Sequence, residues 1–161
     1  MAGVVIKAES GSLAVDMTRE FNATPAQLLR AWTDPDLLVQ WLGPRRMVMK
    51  IQEYDVRHGG KWQYTHADEQ GNEYGFQGVF HGEPSVEEGF TQTFEFDGAP
   101  GHVCLESLTF EEIAPGRTII HTHSVYQSLA DRDAMLESGM EYGVNEGYER
   151  LDELLVADKI G

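Results

Sequence analysis

Cysteine, basic residues and long apolar runs are all scarce in this chain, and each shortage excludes something. The single cysteine, Cys104, sits in an apolar stretch. One thiol rules out an internal disulfide and a cysteine-based zinc site, which leaves a buried structural role as its default. Lysine and arginine number 12 against 27 aspartates and glutamates, for a net charge of −15. The deficit is uneven: residues 1–80 hold 8 basic and 10 acidic residues, residues 81–161 hold 4 and 17. Such a surface repels phosphate, so nucleic acid and anionic membranes are unsuited as partners. No run approaches the ~20 apolar residues that span a bilayer, and no charged-then-apolar leader opens the chain. A cytoplasmic location is therefore expected. Nucleophile elbows, phosphate-cradling glycine loops, Cys/His clusters and triads are all missing. Neither a metal nor a cofactor is expected. Internal repeats, low-complexity tracts and dividing linkers are also absent, so residues 1–161 should form one domain with its core over about 13–157.

What is present begins with three glycines four apart, Gly139, Gly143 and Gly147, in a segment that otherwise reads as an amphipathic helix. A glycine inside a helix costs ~1 kcal/mol relative to alanine. A stripe without side chains either admits another backbone or leaves volume beneath the helix. The strands and aromatics elsewhere favour the second reading. The apolar face of this helix is Met140, Val144, Tyr148, Leu151, Leu154 and Leu155. Ser138 with Glu141 gives a capping signal at its start, and Ser128 with Asp131 gives one for the stretch before it.

Residues 1–11 carry no pattern. Leu13–Phe21 alternates as a half-buried strand with Leu13, Val15, Met17 and Phe21 on one face, and Arg19 reads as its wet end. Thr24, Pro25 and Gln27 form a capping box with proline at the first helical position, and Asp34-Pro35 repeats the signal for a second short helix to about Trp41. Met47–Val56 is a strand whose parity slips near Gln52, which predicts a bulge. Further strands cover Lys61–His66, Tyr74–Gly82, Phe90–Phe96, Val103–Ile113 and Thr118–Tyr126, joined by short glycine-rich or polar turns as an antiparallel meander. The order predicts an α+β domain in which a curved seven-stranded antiparallel sheet wraps around a long C-terminal helix, with two short helices after the first strand.

Several strings place this order in a known family. They are Trp32-Thr33-Asp34-Pro35 with Trp41-Leu42-Gly43-Pro44, Asp55-Val56-Arg57-His58-Gly59-Gly60-Lys61-Trp62, Phe94-Glu95-Phe96-Asp97-Gly98, and Asp131-Arg132-Asp133-Ala134-Met135 running into Ser138-Gly139-Met140. The chain resembles the activator-of-heat-shock-ATPase-like branch of the helix-grip fold, which START-like, pollen-allergen-like and polyketide-cyclase-like proteins share. The resemblance covers about residues 13–157. It implies an internal apolar cavity between the sheet and the long helix, and no single activity. The co-chaperone members carry a further N-terminal domain for which this chain has no room.

Strand parity then selects a set of inward-facing residues. Trp62, Tyr64 and His66 share one face; so do Phe76 and Phe80, Gln92 and Phe94, Cys104, Glu106 and Leu108, and Ile120, Thr122 and Tyr126. Against this apolar background His66, Gln92, Glu106 and Thr122 are the polar exceptions, and a few polar groups in an aromatic-lined pocket is how small-molecule sites are built. With Met140, Gly143, Val144 and Tyr148 of the roof, and Trp41 at the mouth or in the core, they form the expected ligand site. A carboxyl facing an apolar cavity has its pKa raised, which makes Glu106, or His66, a proton-transfer group in an alternative cyclase or dehydratase reading. His121 and His123 form a His-x-His pair on the solvent face and lack a third ligand. The first reading is a small hydrophobic ligand, aromatic or lipid-like. A chaperone-related protein-interaction module using the acidic second half is a further alternative.

Overall fold

The computed structural model describes residues 3–161. Among the described residues eight strands form one sheet: β1 Val5–Lys7, β2 Ala14–Phe21, β3 Val48–Tyr54, β4 Lys61–Ala67, β5 Glu73–Ser85, β6 Gly89–Phe96, β7 Val103–Ala114 and β8 Arg117–Val125. The four helices are α1 Pro25–Thr33, α2 Pro35–Trp41, α3 Leu129–Glu137 and α4 Met140–Val156. The sheet is antiparallel throughout in the order β1-β2-β8-β7-β6-β5-β4-β3.

The expected seven strands are therefore corrected to eight. The extra one, β1, pairs Val5 with Thr18 and Lys7 with Asp16 at the sheet's edge. Three residues are too short for alternation to show, so only pairing with β2 reveals the strand. The predicted bulge is present: the β3–β4 register shifts between Ile51 and Glu53.

The helix starts follow local chemistry. Thr24 accepts from the Gln27 backbone N–H while the Gln27 side chain returns to the Thr24 N–H, and Asp34 caps α2 by accepting from Asp36. Ser128 caps α3 by accepting from Asp131. Ser138 does not start α4: it is the C-cap of α3, and Gly139 takes the N-cap of α4 in a left-handed conformation (φ 85°) with no side-chain cap. That conformation carries a penalty for any residue with a Cβ, and glycine avoids it.

Arg19 is also corrected. It is not a wet strand end but is buried at 5% exposure. Its guanidinium makes a two-pronged bond to Asp152 of α4, at 2.8 and 2.6 Å, and lies 4.4 Å from the centre of the Phe21 ring. A buried ion pair holds only when both partners are present, so this one fixes α4 over β2.

Two apolar clusters lie between the layers. The larger joins α1, α2, the sheet and the C-terminal half of α4 through Phe21, Leu28, Trp41, Trp62, Phe80, Tyr148 and Leu151. The smaller, Val15, Cys104 and Tyr126, packs against Met135 and Leu136 of α3 and Met140. Met17 and Phe94 touch both and stay only partly buried. No helix among the described residues is long and apolar enough to cross a membrane.

Candidate functional site

The region between the two clusters is where the sheet turns polar. One row of paired residues crosses four strands: Val15 of β2, Ser124 of β8, Glu106 of β7 and Gln92 of β6, continuing to Phe80 of β5. Alternation points all five to one face. The Gln92 amide donates to Glu106 Oε1 at 3.0 Å, and the Ser124 hydroxyl lies 3.4 Å from Oε2, which is long for an O–H···O bond. Burial raises the pKa of Glu106, and the bonds from Gln92 and Ser124 oppose that rise. One row away, Thr122 pairs with Met17 and Leu108, and its hydroxyl is buried with no partner.

Four phenol or thiol groups lie within reach of this carboxyl's charge: Tyr64 of β4, Cys104 of β7, Tyr126 just beyond β8 and Tyr148 of α4. Burial pushes each of them upward, and the Glu106 charge adds to the rise. They stay neutral at ordinary pH, and all feel the charge of one acidic group.

An aromatic wall leads away from Glu106. Trp62 stacks on Tyr64 at 5.0 Å and lies 5.7 Å from Phe94; Phe76 lies 5.7 Å from Tyr64 and 5.4 Å from Phe94. Trp62 and Tyr64 are buried, but Phe76 and Phe94 are not fully covered. Gly78 explains the close seat of Trp62: a Cβ there would fall 1.9 Å from the Thr93 carbonyl oxygen and 2.7 Å from the indole nitrogen.

The inward-facing residues expected from parity divide into two kinds. Trp62, Phe80, Leu108, Tyr148 and Tyr64 are core, at 9% exposure or less. Gln92, Phe94, Glu106, Thr122, Phe76, Met140 and Val144 are half-buried. Trp41 packs in the core at 0% exposure, its indole N–H donating to the Ala31 carbonyl at 3.1 Å and its ring 4.6 Å from Trp32. Ser124 was not among the expected site residues, although it continues the alternation of Ile120 and Thr122.

His66 lies elsewhere. It sits in the row with Met49 and Tyr74, under the loop after α2, where a Cβ on Gly43 would fall 2.5 Å from its ring. Strands β5 and β6 lie between it and Glu106. Burial first, and the Arg150 charge second, lower its pKa to about 4, and its Nδ1 is buried without a partner. The structure does not bring His66 and Glu106 into one row.

The glycine stripe also faces elsewhere. A Cβ on Gly147 would fall 3.1 Å from the Trp41 carbonyl oxygen and the Gly43 nitrogen, and one on Gly143 would meet Pro44 at 3.6 Å. The stripe admits the loop after α2 to the flank of α4; it does not leave a hollow over the sheet. The physical reason for the correction is that close backbone approach and empty volume both require a missing side chain.

His121 and His123 pair with Glu111 and Asp16 at 2.8 and 2.6 Å on the outer face. Outside the core, a shallow groove of about 360 Å³ runs between α2 and β3, lined by Val39, Ile51, Gln52 and Tyr54 among others.

With this geometry in hand, comparison with known proteins places the chain. A family model described as Activator of Hsp90 ATPase homolog 1-like protein matches residues 22–156. A solved structure of a protein from Rhodobacter sphaeroides is 27% identical, with 96% of this chain and 99% of that chain covered and a TM-score of 0.86. One from Arthrobacter aurescens is 21% identical over 95% and 91% with a TM-score of 0.84. The AHSA1 protein from Silicibacter pomeroyi is 23% identical over 90% and 99% with a TM-score of 0.69. The last two likenesses concern the fold alone. No curated protein matches the chain.

Proposed function

The chain belongs to the family described as Activator of Hsp90 ATPase homolog 1-like protein, and from that premise we propose that it binds a small, mostly apolar molecule between the sheet and α4. The supporting observation is the state of the inward-facing side chains around Glu106. Gln92, Phe94, Glu106 and Thr122 point between the layers and are nevertheless only half-buried, whereas packed interiors leave few voids larger than a water molecule. Surface left on residues that face inward is what a gap between the layers would leave. The lining fits a ligand: aromatic rings supply contact area, while Gln92 and Glu106 supply a fixed polar end.

The proton-transfer alternative keeps one group, not two. Glu106 has the environment of an acid or base, but His66 sits in another row. Binding is the simpler reading of one carboxyl among neutral side chains.

The test uses N-phenyl-1-naphthylamine, whose fluorescence rises in apolar surroundings. It should bind the folded protein at one per chain. Val144→Trp should abolish binding with the circular dichroism spectrum unchanged. Undiminished binding by that variant places the probe elsewhere and defeats the proposal.

A further inference from the structure

The charge balance of the gap narrows the ligand further. Glu106 carries the one formal charge in its row, and its two polar neighbours both point donors at it. A carboxylate has about four acceptor positions, so acceptor capacity remains for a donor entering the gap. No free cation stands nearby among the described residues. Arg19 is committed to Asp152, and Arg132 is committed to Asp133 and to the carbonyls of Glu9 and Ser12. The titratable groups that feel the Glu106 charge, Cys104 on the same strand and Tyr64, Tyr126 and Tyr148 on other elements, are neutral.

We infer that the occupant is a small apolar amine in its protonated form, its ammonium paired with the Glu106 carboxylate and its apolar body laid on the partly exposed rings of Phe76 and Phe94; this rests on the binding reading above. Three features of the molecule agree. The unopposed carboxylate supplies the counter-charge. The partly exposed rings of Phe76 and Phe94, 5.4 Å apart, supply contact area for the apolar body. The second half of the chain, which supplies β7, β8 and α4, holds 17 acidic residues against 4 basic ones, and that field draws cations inward. The same arrangement rejects a fatty acid or other carboxylate, which would meet a like charge with no arginine or lysine to neutralise it.

Three probes of one shape separate the possibilities: 1-naphthaleneethylamine, 1-naphthaleneethanol and 1-naphthaleneacetic acid, titrated calorimetrically at pH 8 into the wild type and Glu106→Gln. The amine should bind about tenfold tighter than the alcohol in the wild type, as a desolvated charge pair implies, with the acid weakest. In E106Q the amine should lose that advantage over the alcohol, with an unchanged circular dichroism spectrum showing that the variant is folded. An alcohol or acid that matches the amine in the wild type overturns the inference and leaves the binding reading standing. An amine preference that survives in E106Q assigns it to the acidic surface and overturns the inference as well. Failure of all three probes removes the binding reading and this one together.

Discussion

Acidification should cost this fold stability through one buried histidine, and the size of the loss can be worked out. His66 is 7% exposed, and its pKa falls from 6.5 to about 4, by burial first and the Arg150 charge second. Between those values the unfolded chain holds a proton that the folded chain does not, so stability falls as pH drops through this window. At 1.36 kcal/mol per unit, protonation of the unfolded state takes away ~3 kcal/mol by pH 4. That is a large share of the ~5–15 kcal/mol typical of a domain. Other groups titrate in the same range, so the measurement is a difference. Urea unfolding of the wild type and His66→Phe is compared at pH 7.5 and pH 4. The gap between their unfolding free energies should shift against the wild type by ~3 kcal/mol. Parallel losses in the two proteins, or a His66 imidazole resonance titrating near its ordinary value, would refute the reasoning.

Four further outcomes follow from the packing. Gly143→Ala should stabilise by up to ~1 kcal/mol, since its Cβ meets Pro44 at an ordinary 3.6 Å and helix propensity is gained; Gly147→Leu should destabilise by ~1–3 kcal/mol because it drives a side chain into the backbone of the loop after α2. Thermal melts of the pair check both signs. Asp152→Ala strands the buried Arg19 charge and should cost ~3 kcal/mol, read by chemical denaturation, and a loss no larger than that of a surface substitution would deny the ion pair its role. Glu106→Gln should raise the melting temperature more at pH 8 than at pH 4. The carboxyl's elevated pKa means that its contribution is retained at low pH and lost as pH rises through the folded value. A shift independent of pH would show that the carboxyl is well solvated.

The sequence readings that held are those whose physics is local. Thr24 with Gln27, Asp34 and Ser128 announce helix starts because a cap and its partner lie within three residues. The shared face of Glu106 and Gln92 was legible because strand parity needs only neighbours. Failures came where the partner lies far along the chain. Arg19 read as wet because its carboxylate, Asp152, is 133 residues away. The glycines of α4 read as the roof of a hollow because the loop at Trp41 and Gly43 that presses on Gly147 is a tertiary neighbour. His66 and Glu106 share a parity yet not a row, since parity gives the face of a strand and not the position along it. The strand Val5–Lys7 could not be read at all, being defined by pairing alone.

The central claim is a ligand gap beneath α4 around Glu106. Amide and methyl NMR shifts recorded while N-phenyl-1-naphthylamine is titrated into the protein test it most directly. Perturbations should gather on Gln92, Phe94, Glu106, Thr122, Met140 and Val144. Shifts confined to Val39, Ile51 and Tyr54 of the outer groove, or a spectrum that does not change, would contradict it.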